Sequence, residues 1–198
     1  MTTADWLNLG DAYQALNQPE KAFQAWERSL ALEETAQAHT RLYEVHRQNQ
    51  DFTRILASIT ALHRLQPADD SLTYQLVVHQ AAFQPDSALD TLQQAEIEDD
   101  TIRLLLQALE RKLLAAMLEE NPAAQFLGAG QALAESGEWD LAAQAFQQAV
   151  LAEPGYAEAW AYLGEARQHL NPPQPQAALS DLRQALRLTP KSVPTLSM

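Results

Sequence analysis

His39 and His46 come nearest, by type and spacing, to a chemical site: seven positions apart, they share one face of a helix, and neutral imidazoles hold metal ions well. His63 or His79 would have to complete the ligand set. Helical zinc enzymes, however, space two histidines four apart with a glutamate beside the first, and no histidine pair here has that spacing. Packing against neighbouring helices accounts for both residues. The adjacent acids Glu33 and Glu34, Asp69 and Asp70, Asp99 and Asp100, Glu119 and Glu120 offer pairs for acid–base work, but each falls at a helix end or turn. Water solvates a carboxylate there, and a helix N-terminus attracts one. The sequence has no glycine-rich phosphate loop, no GxSxG elbow and no nucleotide fingerprint; Gly128 and Gly130 sit inside a helical pattern. With no cysteine it has no thiolate ligand, thiol nucleophile or disulfide. No catalytic residue, metal or cofactor is expected.

The charge balance narrows the partners. With 26 acidic and 13 basic residues among 198, the formal net charge is -13, which repels nucleic-acid phosphates and anionic lipid headgroups. The densest basic stretch, Arg41, Arg47, Arg54 and Arg64, is offset by Glu44 and Asp51. The longest wholly apolar run, residues 113–118, is far short of the roughly 20 residues that span a bilayer. The first residues enter an amphipathic helix pattern with no basic and apolar leader. A cytoplasmic protein that neither binds nucleic acid nor inserts into a membrane is expected. Its 46% hydrophobic content can bury a sizeable core, and 6 glycines argue against a loop-rich chain.

The elements that would carry any site are set by an internal period. Trp6, Leu9, Gly10 and Tyr13 are followed by Ala22 and Trp26, four apart. The same relative spacing returns in Phe126, Gly130, Leu133, Gly137, Trp139, Ala142, Phe146, Ala149 and Pro154. A further copy begins with Trp160, Leu163 and Gly164, and both Phe126 to Trp160 and Gly130 to Gly164 are 34 residues. It continues through Ala178, Leu182, Ala185 and Pro190, two positions late because "NPPQPQ" lengthens the turn, where insertions are cheap.

These positions resemble the tetratricopeptide-repeat family, whose pattern is W-x2-L-G-x2-Y, A-x3-F, P over 34 residues. The match is strongest at 3–36 and 123–192. A weaker copy over 36–69 has His39, Leu42, Tyr43, His46, Ile55, Ile59, Leu62 and Pro67 at the signature positions, and a degenerate one over 70–98 keeps Leu76, Ala88, Leu92 and Ala95. The resemblance implies an all-α solenoid of helical hairpins in a right-handed superhelix, about 11 helices in all. Small residues such as Gly10, Gly130, Gly164 and Ala142 would let helices approach while Trp26, Phe146 and other large rings fill the space beside them. It also implies a groove lined by the first helices. The positions that would face a partner are Leu7, Asp11, Gln14 and Ala15; Thr40, Glu44, Arg47 and Gln48; Leu127, Gln131, Ala134 and Glu135; and Ala161, Glu165, Gln168 and His169. Chaperone-tail binders of the family hold a carboxylate with an asparagine where Asp11 stands, so a basic or amphipathic segment fits this surface better.

Gly10 to Gly130 is 120 residues, three periods of 34 plus 18, so one helix has been added without a partner. Residues 99–121 supply it, with Ile102, Leu105, Leu106, Leu109, Leu113, Ala116 and Met117 on one face. Leu104, Leu114 and Leu118 lie off that face, so a second side would be covered, within the chain or by another subunit. The expected divisions are repeats at 1–98, a linking helix at 99–121, two repeats at 122–192 and a tail at 193–198. The function expected is a non-catalytic scaffold, adaptor or assembly factor that grips a helical or extended segment of another protein. The alternative is a structural subunit of a homo-oligomer or larger complex, associating through the Leu-rich helix at 101–118.

Overall fold

Apolar residues recurring at helical spacing, with proline or a capping side chain at the start of most segments, leave the backbone little alternative to helix. The computed structural model of the chain describes residues 1–189; Pro190, the end of the 122–192 repeats and the 193–198 tail lie outside them. Eleven helices and no strand occur among the described residues: α1 (Thr3–Ala15), α2 (Pro19–Leu32), α3 (Ala36–Gln48), α4 (Phe52–Leu65), α5 (Asp70–Phe83), α6 (Pro85–Gln94), α7 (Asp100–Ala116), α8 (Pro122–Glu135), α9 (Trp139–Ala152), α10 (Ala157–His169) and α11 (Pro175–Leu188). Thr2 and Asp5 close a reciprocal cap on α1, Thr35 and Asp51 cap α3 and α4, and proline opens α2, α6, α8 and α11.

The chain divides into two compact units, one of residues 1–76 with 96–99, the other of residues 77–95 with the chain from Asp100 onward. In the first unit, α1 pairs with α2 and α3 with α4, and α2 packs on α3. Ala22, Trp26 and Leu42 form one buried cluster with Leu7, Tyr13, Phe23 and Val45 around it. Ile55, Ile59 and Leu76 form a second. Asp70 accepts hydrogen bonds from the backbone of Glu98 (2.9 Å) and Asp99 (2.6 Å), which fastens the 96–99 segment to the start of α5. In the second unit, α8 pairs with α9 and α10 with α11, α9 packs on α10, and α7 lies against α8.

The glycines at the signature position are required by close approach. A Cβ built on Gly10 would stand 2.3 Å from Trp26 Nε1, one on Gly130 2.5 Å from Phe146, and one on Gly164 2.8 Å from Leu182. Each hairpin is thus locked by a large side chain pressed onto bare backbone, as the small-against-large reading expects. Gly128, which the repeat pattern does not use, has the same relation to Ala116 at 2.5 Å, and brings α7 against α8.

The linking helix is covered along one stripe. Leu106, Leu109, Leu113 and Ala116 are buried, but Leu105, placed with them by periodicity, is 42% exposed at the edge of the stripe. Leu104, Leu114 and Leu118, expected to be covered within the chain or by another subunit, are 67, 46 and 84% exposed in the chain alone.

Candidate functional site

In the first unit, the first helices of the two hairpins place Asp11 and Gln14 of α1 beside Glu44 of α3. Together with Ala15, Trp26, Arg41, Val45 and Gln48 they line a cleft of about 400 Å³. Its electrostatics are already satisfied from within. Arg41 donates to both oxygens of Asp11, from Nε at 2.9 Å and from Nη2 at 3.1 Å, and Trp26 Nε1 adds a third bond at 3.1 Å. The Arg41 guanidinium therefore holds the Asp11 carboxyl below its ordinary value against the opposing effect of burial. Arg47 donates twice to Glu44 Oε2, at 3.1 and 3.0 Å, on the same helix. Leu7 packs against the Trp26 cluster, and the hydroxyl of Thr40 returns to Ala36 O at 2.9 Å. The structure thus gathers Asp11, Gln14 and Glu44 along one cleft, whose lining does not include Leu7 or Thr40.

In the second unit, Leu127, Gln131 and Glu135 lie one helical turn apart along α8 and line a cleft of about 440 Å³ with the last turn of α7 and the start of α10. Its floor is small: Ala115, Ala116, Ala124, Gly128 and Ala132. Glu119 and Glu158 stand at its margin, and Lys112 forms an ion pair with Glu135. Tyr156 closes one end; burial pushes its phenol pKa up, and Glu158, Glu119 and Glu153 push it further, which marks negative potential at this mouth. Ala161 is half-buried on α10, Glu165 and Gln168 are exposed, and the Gln168 amide donates to Gly164 O at 3.3 Å on its own helix. Sequence reasoning missed Lys112, Glu119, Tyr156 and Glu158. The last two precede the first helix of a repeat or open it, where the family pattern assigns no groove position.

The histidines serve packing. His39 is buried with Nε2 3.1 Å from Glu34 Oε1, and Glu34 also accepts from Arg64 at 2.5 Å. His46 is buried with its ring edge-on to Phe23 at 5.9 Å. Among the described residues no three His, Asp or Glu side chains gather as metal ligands.

Residues 6–35 match the family model described as "Tetratricopeptide repeat". No curated protein matches the chain in sequence. Among solved structures, MamA is 17% identical, with 94% of this chain and 91% of that chain covered and a TM-score of 0.40. TTC0263, a thermophilic tetratricopeptide-repeat protein of Thermus thermophilus, is 23% identical over 96% of this chain and 93% of its own, with a TM-score of 0.38. YrrB, described as such a protein with an unusual peptide-binding site, is 21% identical over 94% and 86%, with a TM-score of 0.37.

Proposed function

We propose that this chain, a tetratricopeptide-repeat protein of all-α fold, is a non-catalytic scaffold, adaptor or assembly factor that holds a segment of a partner protein on its first helices. Repeats of this family generally build protein-interaction surfaces and generally carry no chemistry, which is the ground for reading the clefts as docking rather than catalytic sites. The observation that carries the reading is the cleft of α7, α8 and α10, where Leu127, Gln131 and Glu135 converge with Glu119, Glu158 and Tyr156 over a floor of alanine and glycine. Its walls offer one cation, Lys112, already paired, against three acids. A basic or amphipathic helical segment of a cytoplasmic partner suits that balance. The remaining groove positions, Leu7, Asp11, Gln14, Thr40, Glu44 and Arg47 in the first unit and Ala161, Glu165 and Gln168 in the second, belong to the same proposal, as do the divisions at 1–98, 99–121 and 122–192.

Fluorescence anisotropy with a labelled Lys/Leu amphipathic helix and its Glu/Leu counterpart tests it. The first should bind and the second should not, and Glu158→Lys with Gln131→Lys should weaken binding at least tenfold. Equal binding of both peptides, or indifference to the two changes, overturns the assignment.

A second reading has its own observation: the exposed Leu104, Leu114 and Leu118 of the linking helix and the turn after it suit association with a second copy or a larger complex. Light scattering across micromolar concentrations would give a mass above the monomer, which Leu104→Lys with Leu118→Lys should reduce. A monomer throughout removes the second-copy form of this reading.

A further inference from the structure

The second helices of the first two hairpins leave a seam that adjoins the Asp11 cleft at Val45 and is lined by otherwise different residues. Two adjoining clefts of about 420 and 480 Å³ run along it, walled by α2 and α4 and floored by α3. They share Glu27, His46 and Arg54, so they form one trough. It stays open because the facing residues at one end, Ala31 on α2 and Ala57 and Ser58 on α4, are too small to fill it.

His46 lies in the middle of this floor. It is only 7% exposed, it lines both clefts, and its ring forms an aromatic contact with Phe23 but no hydrogen bond to any described residue. Its ring nitrogens are not among the fully buried, unpartnered side-chain atoms, so they meet the open trough, where the ring can offer a donor and an acceptor. Burial, reinforced by Arg54 and only partly opposed by Asp51 and Glu27, lowers its pKa, so at neutral pH the ring is uncharged and offers one of each. The amides of Gln24 and Asn49 stand on the rim nearby. Groups of this kind recognise the alternating N–H and C=O of a main chain.

The charge of the walls selects among main chains. Arg54 is held by Asp51, Nε to Oδ2 at 3.4 Å, which cancels one acid and one base. Glu20 and Glu27 then remain on α2, seven residues and so roughly 10 Å apart along its axis. An extended strand covers that distance in about three residues, so cations two or four positions apart on one side of it reach both.

We propose that the α2–α4 seam is a second docking groove, for an extended segment of a partner protein with basic residues at alternate positions, its main chain bonded to His46 and its cations set against Glu20 and Glu27. The site is independent of the first-helix surface proposed above, and either can fail without the other.

The probe is a fluorescein-labelled, end-capped octapeptide alternating Lys and Val, with a Glu/Val octapeptide as control. Anisotropy should show saturable binding of the first alone. Glu27→Lys, at an exposed position, should weaken it at least tenfold, and His46→Phe, which keeps an aromatic ring beside Phe23, should weaken it several-fold, with circular dichroism confirming helix content. Glu158→Lys in the other unit should leave it unchanged. In ¹⁵N-histidine spectra, assigned with the His46→Phe variant, the ring signals of His46 should move on titration. No binding, or binding lost with Glu158→Lys and kept with Glu27→Lys, overturns the proposal, as does a His46 ring that does not respond.

Discussion

Arg167 and Asp181 stand where the other strong repeats place apolar partners. Three residues beyond the signature glycine the preceding copy has buried Leu133 and the first has Tyr13; three beyond the signature alanine they have buried Ala145 and Ala25. In the last hairpin these positions become an ion pair, Arg167 Nη1 to Asp181 Oδ2 at 3.0 Å, not in line for a hydrogen bond. The Asp181 side chain is 6% exposed, and burial raises its carboxyl pKa more than Arg167 lowers it. A buried pair of this kind is costly to break and cheap to replace. Arg167→Leu should therefore destabilise the protein by about 3 kcal/mol, while Arg167→Leu with Asp181→Ala, which restores the neighbours' chemistry, should be neutral or stabilising. Urea unfolding of the three proteins decides it; a double variant as weak as the single one removes the explanation. His46 gives a pH test of opposite sign. Its pKa is lowered on folding, so the unfolded chain binds the proton more readily. The stability this contributes is complete above the ordinary histidine range and is lost as pH falls through it to the depressed value. His46→Phe should accordingly lose less melting temperature than the parent between pH 7 and pH 5. Equal losses would mean that burial does not hold the ring neutral.

The helices and their hairpins were legible because each repeat states its packing twice, as a small residue and as the large one that meets it. Gly10 with Trp26 and Gly130 with Phe146 are such statements, and the structure puts each pair in contact. The turns were half legible. Gly137 has φ +85°, and the second residue past the end of α1 and of α3 takes the same left-handed conformation as Asn17 (φ 56°) and Gln50 (φ 53°). Side chains other than glycine and, less so, asparagine are strained there by about 1–2 kcal/mol. Gln50→Gly should raise the urea midpoint by an amount worth about 0.5–1 kcal/mol, Asn17→Gly by less, and Gly137→Ala should lower it by about 1 kcal/mol. A lower midpoint for Gln50→Gly would show that the turn is not strained. What sequence could not give is pairing between successive repeats. Asp11 with Arg41 and Glu34 with Arg64 both join residues 30 apart, a separation set by how one hairpin lies on the next and not by periodicity within either. Sequence therefore shows Asp11 as an acid on the first helix but not that Arg41 and Trp26 bond to it. The second side of α7 is open for a related reason: periodicity shows that Leu104, Leu114 and Leu118 share a side, but only the neighbours decide whether that side is covered.

At the scale of the whole molecule, the net charge of -13 is spread unevenly in its effect. Asp11, Glu34, Glu44, Asp51, Asp100, Glu135 and Asp181 all have a cation of the same chain within ion-pair distance, so they contribute little field beyond their own surroundings. The potential that an approaching segment feels comes from acids outside such pairs, among them Glu20 and Glu27 along the seam and Glu119 and Glu158 at the second-unit cleft. Exposed charges act over about a Debye length, roughly 14 Å at 0.05 M salt and 4 Å at 0.5 M. Stopped-flow association of the Lys/Leu and Lys/Val peptides should therefore slow by about tenfold or more across that range, while dissociation, governed by close contacts, changes much less. The same field predicts weak binding of a mixed-sequence duplex DNA even at the lower salt, which anisotropy with labelled duplex checks. If association of the basic peptides were indifferent to salt, apolar contact rather than charge would be selecting the partner. The exposed leucines of α7 would then become the stronger candidate surface, because they are the large apolar group on the linking helix that its own unit leaves uncovered.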